Sequence, residues 1–564
     1  MRRGILRHQA IASGDATFQF QEFRMYRQLC VITTLVLLAL GQAQPAYAQK
    51  AIEPTIEVRM RSVNDFLDKV AYLGDIVNQA EPAKQAVEFV RTLTDEKKGI
   101  EGIDPTKPFG FYGTITKDVI DSQVILMIPV ADEKAFLDLL TGKLNLEPKK
   151  GDGDRYELQI PNVPLPVFFR FTNGYVYATA GSVKNLDEKK LLAPKDFFRA
   201  NDSALASADV HLDRIPDDIK KTLFAQIELK TAESKNEKKD GDTPAGIRLR
   251  NWGVDVAPQA LQTLLKEGGK LSLTVDVKPK SDDIALDVQL TAKEGSDFAK
   301  TLSGLKGRTG LALPTTTTPL ATASAKLALP EGSLQELQKA IDLAVEEAIA
   351  AAPENEKAAR KQETKALIPT LKAGKLEATF LATERDKNGK TAIYFTMNVV
   401  EGKEIEKSFK QLATKITEDK ATYEFDVKKI GDVTFHKVVV KAPEFQETIG
   451  SNTIWVGISD KLFVIQITPD GKLNESLAKP LTSDNVRPFH SELSIASLFA
   501  LTEKALKAEK MQELISEVFG KAGPAGKDTL KFSIEGGDIL TMRMSMKGKA
   551  FKLAVLIDQE KKKQ

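Results

Sequence analysis

One succession of hydrophobic patterns occurs twice in this 564-residue chain, and no other feature restricts its fold as strongly. A repeat fixes architecture, because each unit must bury the same faces in the same order. The segment VRMRSVNDFLDKVAYLGDIV matches KLALPEGSLQELQKAIDLAV, each an extended piece followed by an amphipathic helix. Ser62 with Asp65, and Ser333 with Glu336, have the spacing at which a hydroxyl caps a helix N-terminus and an acid supports it. DPTKPFGFYGTIT then matches IPTLKAGKLEATF, and SQVILMIPVADEKAFLDLL matches AIYFTMNVVEGKEIEKSFKQL. RYELQI and GYVYATA are followed in the second half by TYEFDV and LFVIQIT. Last, ADVHLDRIPDDIKKTLF pairs with SELSIASLFALTEKALK, and LLKEGGKLSLTVDV with VFGKAGPAGKDTLKFSI.

These correspondences predict an α+β fold of two tandem copies. Each copy is an antiparallel-sheet unit with helices packed on one face. The domains expected are a leader over 1–48, a first unit over 49–305, a linker over 306–324 and a second unit over 325–564. Residues 54–305 and 325–560 form the matched parts. The join LPTTTTPLATAS is poor in large apolar residues. Leu271, Leu273, Val275 and Val277, then Ile284, Leu286, Val288 and Leu290, alternate with polar residues, the period of a strand with one buried face. KPKSDD between them reads as a hairpin turn, which joins antiparallel neighbours. Helices over 62–78 and 333–351 are expected on the apolar face. The charged stretch KTAESKNEKKDGDTPAG, 230–246, reads as a solvated loop.

The N-terminus carries an address. Arg24 and Arg27 precede the apolar run LCVITTLVLLAL, and the small residues Ala46 and Ala48 flank Tyr47. That order describes a secretory signal cut between Ala48 and Gln49, with Met25 as an alternative start. Cys30, the one cysteine, would leave with it. The leader holds five arginines and two acids, so 80 basic and 78 acidic residues become 75 and 76. A net charge of −1 gives no electrostatic case for nucleic acid or for an anionic membrane surface. The expected location is the periplasm or the medium, with no stable membrane insertion after cleavage.

Motifs for chemistry are sparse. The stretch GKAGPAGKDT suggests a phosphate loop, but it follows a helix and enters a strand, the reverse of the order that points a helix N-terminus at a phosphate. Its spacing from Gly520 is one residue too long, and Asp528 stands where a magnesium-binding hydroxyl belongs. Gly268-Gly269-Lys270 occupies the matching place in the first half and reads as a helix-closing turn. His211, His436 and His490 lack His or Cys neighbours at metal spacing. Ser476, Lys479, Ser483, Asp484 and Asn485 contain two marks of serine penicillin-recognising enzymes, crowded into one loop with no later K-T-G. GDGDRYE has too few oxygen ligands for a calcium loop. No cofactor or metal is expected, and no catalytic residue stands out.

One cluster is distinctive. PFGFYG supplies Phe109, Phe111 and Tyr112, and PLPVFFRF supplies Phe168, Phe169 and Phe171. Two readings fit it: a larger core in the first copy, or an apolar groove for a ligand or partner. The leader, IDPTKPFGFYG and VILMIPVADEKAFLDLL together resemble those of uncharacterised exported bacterial proteins built from repeated α+β units. That resemblance implies no activity or site. The first expectation is an exported non-catalytic binding or scaffold protein, with another envelope protein or an apolar ligand as partner. A periplasmic carrier of an apolar molecule such as lipid is the alternative, and a hydrolase without a recognisable motif the third.

Overall fold

The computed structural model describes residues 53–562, apart from 77–93, 96–98, 118–121, 162, 164, 200–203, 237–242, 313–318, 330, 355–356, 385–389, 417–418, 498–507, 522 and 525. The leader and the cleavage site at Ala48 and Gln49 lie outside the described residues.

The alternating segments assemble into one 20-stranded sheet in which every paired neighbour is antiparallel. Its first ten strands are β1 (Ile56–Met60), β2 (Phe109–Thr114), β3 (Gln123–Pro129), β4 (Lys149–Lys150), β5 (Arg155–Leu158), β6 (Val167–Thr172), β7 (Tyr175–Ala180), β8 (Ala206–His211), β9 (Gly268–Lys278) and β10 (Asp283–Ala292). The next ten are β11 (Pro319–Ala328), β12 (Lys375–Thr383), β13 (Ile393–Asn398), β14 (Ala421–Ile430), β15 (Val433–Val440), β16 (Thr453–Ile458), β17 (Leu462–Ile467), β18 (Phe489–Ser494), β19 (Thr529–Glu535) and β20 (Ile539–Lys547). From one edge the order is β4-β5-β6-β7-β3-β2-β1-β8-β9-β10, and it continues β20-β19-β18-β11-β12-β13-β17-β16-β15-β14. Read inward from each edge, the two sequences of strands are the same. The halves meet where β10 pairs with β20, and Asp287 grips Arg543 there through bonds of 2.6 and 2.7 Å.

This order corrects one correspondence. RYELQI contains β5, which occupies the place that β15 holds in the other half, whereas TYEFDV lies in β14. The expected linker is also partly strand, since β11 begins at Pro319. Its small residues fit because large partners lie beside them: Ala321 pairs with Leu493 and Ala323 with Phe380.

The principal helices are α1 (Val63–Ile76), α2 (Glu133–Asp138), α3 (Asp217–Asn236), α4 (Pro244–Glu267), α5 (Asp297–Ser303), α6 (Glu331–Ala350), α7 (Lys357–Lys372), α8 (Gly402–Ala413), α9 (Ala508–Phe519) and α10 (Gly548–Lys562). The apolar side of the sheet takes them. Val210, Leu271, Leu290 and Leu540 pack with Leu264 and Leu265 of α4 and Phe224 of α3. Leu493, Leu530 and Met546 pack with Met511 and Leu514 of α9 and Leu553 and Ile557 of α10. Helices are not the only cover. Toward each edge the opposite face is also buried, by Leu186 and Phe197 in one half and by Leu473 and Ala478 in the other.

The described part of the expected loop 230–246 is helical instead. The charged stretch 230–246 continues α3 to Asn236 and opens α4 at Pro244, where Thr243 caps it. Lys230 pairs with Glu233 one turn on, and Lys235 with Asp255 of α4, so the charges stabilise helix rather than coil. Pro369 lies inside α7, and the helix continues because Ala373 N–H donates to Pro369 O at 3.1 Å.

The described residues of 520–528 connect α9 to β19 and include turns at 521 and 526–528. Gly520 and Gly526 take φ of 78° and 75°, the left-handed region open to glycine. Gly268 differs, with φ −70°; a Cβ there would sit 2.2 Å from Leu264 O, so close packing rather than handedness requires the glycine. Asp528 is fully buried and accepts from Ser494 Oγ at 2.5 Å and from Ala496 N–H at 3.0 Å. The segment therefore ties β19 to the end of β18.

Candidate functional site

An apolar concavity lies between the sheet and helices of the second half. Leu327 and Leu376 are adjacent in the register of β11 and β12, and Met397 continues the row on β13. Leu337 of α6, Leu367 and Leu371 of α7, and Ile405 of α8 close the sides. The space measures about 450 Å³. Apolar groups line it almost throughout, yet Leu327, Leu367, Leu371 and Leu376 remain 43%, 53%, 56% and 45% exposed. Four leucines left in water at one place is a configuration that folding alone does not favour. Gly374 sets the geometry: its φ is +62°, and a Cβ there would lie 2.3 Å from Leu334 Cδ1. The left-handed φ is what favours glycine here, and a Cβ would also displace the end of the Leu334 side chain.

A second feature is charged and closed. On the opposite face, Asp209 of β8 is 1% exposed. It accepts from Ser272 Oγ at 2.6 Å and from Arg59 Nη1 at 2.9 Å, and it also pairs with Arg199. Arg59 additionally pairs with Glu57 and donates from Nε to Phe197 O at 2.6 Å. Burial raises the Asp209 pKa most, but the bonds from Ser272 and Arg59 and the charges of Arg199 and Lys270 outweigh it, so the net shift is downward. His211 Nε2 lies 3.4 Å from Glu57, and burial lowers its pKa. Every oxygen of Asp209 has a partner, which describes a structural lock rather than a group poised to react.

Glu406, Asp426 and His436 form a third cluster, with ligand-type atoms close enough to share an ion. The donor chemistry argues against a metal. His436 is fully buried, and its Nδ1 accepts the Asp426 backbone N–H at 3.1 Å. A neutral ring so bonded carries its proton on Nε2, the tautomer inferred from this network, and has no lone pair there for a metal. Lys410 Nζ already lies 2.8 Å from both Glu406 and Asp426, in the place a cation would take. Burial lowers the His436 pKa, so the ring is neutral near pH 7.

The aromatic cluster is not brought together as one surface. Tyr112 is fully buried beside Phe197, with Phe168 packed against the same core. Phe169 is in the core on the other side, stacked on Tyr156 at 5.0 Å. Phe109 and Phe111 are half-buried, opposite Met60 and Val58 of β1. His490 lies near Arg487, and Asp484 accepts from Thr309; neither approaches a nucleophile–base arrangement. Compared with protein-family models, curated proteins and solved structures, the chain has no match.

Proposed function

We propose that the chain is an exported, non-catalytic binding protein of the bacterial envelope whose groove holds an apolar molecule. The observation that carries this reading is the groove itself: about 450 Å³, lined by leucine, isoleucine and methionine and open to solvent. That volume is in the range of small-ligand sites. Among the described residues no helix is long and apolar enough to cross a membrane.

Duplication of a ten-strand unit is part of the proposal, and the matching strand orders support it. Under that correspondence β2, with Phe109 and Phe111, answers to β12, with Leu376. A scaffold role would use the same surface for a protein partner. The leader's apolar run and small-residue cleavage pattern support export.

The test is displacement of the apolar fluorophore N-phenyl-1-naphthylamine by dodecanol. Saturable binding is expected, and Leu371→Asp should weaken it by roughly tenfold or more, since a carboxylate entering an apolar site is strongly disfavoured. Leu371 is exposed, so the variant should fold as well as the parent. Absence of saturable binding, or equal binding by the variant, would defeat the proposal.

A further inference from the structure

The sheet face that carries the helices is only partly covered by them. On that face Leu273, Val288, Met542, Ile534 and Phe489 stand side by side in register on β9, β10, β20, β19 and β18. A second row, Val275, Leu286, Met544 and Phe532, runs beside it. None of these side chains is buried, and Leu273 and Met544 are 41% and 42% exposed. The helices cover the flanking rows instead: α3 and α4 pack over Leu271, Leu290 and Leu540, and α9 and α10 over Leu493, Leu530 and Met546.

The other face of the same sheet shows the reverse. Alternation sends Ser272, Ser324 and Ser533 to that side, and they are buried, at 7%, 8% and 9% exposure. A sheet that buries serine while leucine, methionine and phenylalanine stay half open departs from the usual partition, and such departures mark binding surfaces. The two rows continue through Ala325 and Ala323 on β11 and through Ala378 and Phe380 on β12, and no charged residue stands in either row from β9 to β12. Two residues further along those last strands are Leu327 and Leu376, so the strip runs into the apolar groove.

The dimensions of the strip select what can cover it. Seven strands about 4.8 Å apart, with two rows of side chains, make a floor roughly 30 Å long and about 14 Å wide. That is about 400 Å², against about 800 Å² per partner in a standard protein interface. Helices roughly 10 Å in diameter border it on both sides, which keeps the sheet of a second copy off the floor. An alkyl chain is narrow enough to lie between the helices and has no polar group to desolvate, and the unbranched side chains of Met542 and Met544 adapt to its shape.

We propose that this strip holds the acyl chain of a lipid, laid across the strands from the groove in the second half toward β9 in the first. The proposal rests on the groove reading for the place where the chain enters, and adds the class of ligand and its path.

The test compares 1-oleoyl-lysophosphatidylcholine, below its micellar concentration, with dodecanol, each displacing N-phenyl-1-naphthylamine from the full protein. Met544→Asp and Leu273→Asp each put a carboxylate on the strip, away from the groove and at exposed positions, so both variants should keep the urea midpoint of the parent. Lysolipid affinity should fall by roughly tenfold or more in each, with dodecanol affinity unchanged. In the unmodified protein, the same lysolipid carrying a diazirine at its chain end should label peptides of β9, β10 or β20. Dodecanol binding together with lysolipid binding that neither variant weakens, or with label confined to peptides of the groove, would overturn this inference and leave the groove reading standing. Binding of neither ligand would overturn both.

Discussion

Replacing Asp209 with alanine tests whether the buried charge network holds β1, β8 and β9 together. The carboxylate serves Ser272 at 2.6 Å and Arg59 at 2.9 Å, with Lys270 Nζ at 3.9 Å and Arg199 as a further partner. Arg59 is only 7% exposed, so its guanidinium cannot turn to water when the acid is removed. Breaking a buried pair by deleting one partner costs about 3–5 kcal/mol. Arg199 is half-exposed and can be solvated, and Glu57 still faces Arg59, so the lower end, about 3 kcal/mol, is expected. Urea unfolding of the two proteins at pH 7 measures it. The pH dependence follows from the sign of the shift. The folded pKa of Asp209 is depressed, so its contribution is full above the unfolded value of about 3.9 and disappears as pH falls through the folded value. The difference between parent and variant should therefore be constant from pH 7 to about 5 and should shrink in strongly acidic solution. A loss below about 1 kcal/mol at neutral pH would show that the network is incidental to stability.

Leu553→Ala should cost roughly 2–5 kcal/mol, because this fully buried side chain joins α10 to α9, and thermal unfolding would show a cost near zero if α10 were peripheral. Lys527→Ala, at an exposed turn position, should change stability by less than about 0.5 kcal/mol. Calorimetry with ATP and magnesium should give no saturable heat; heat that vanishes in this variant would contradict the turn assignment.

The parts of the fold that were legible in sequence are those written in neighbouring residues. Leu271, Leu273, Val275 and Val277 alternate with polar partners, and they form β9 with one apolar face. Lys278 and Asp283 close the hairpin through Asp282 at φ 57°, as KPKSDD suggested. What failed depended on partners distant in sequence. The residues 230–236 looked like solvated coil because their stabilising contact, Lys235 to Asp255, crosses to another helix. Phe168 and Phe169 looked like one cluster because they are adjacent, yet adjacency in a strand sends side chains to opposite faces. No local pattern announces that β10 will pair with β20, since Asp287 and Arg543 are 256 residues apart.

The groove was hidden for the same reason, and more completely. Its leucines come from β11, α6, α7 and β12, and each alone reads as an ordinary core position. Exposure is the informative property, and exposure is decided by what the rest of the chain fails to cover. The two ends of the molecule illustrate this. α10 seals one helix cleft with Leu553 and Ile557, while α5 is too short to reach into the other, between α4 and α6. The two halves, alike in strand order, thus differ through unequal helices after the strands that hold the same place in that order. In such a chain the candidate binding sites lie where the halves depart from one another, and comparing them finds such sites when a motif search does not.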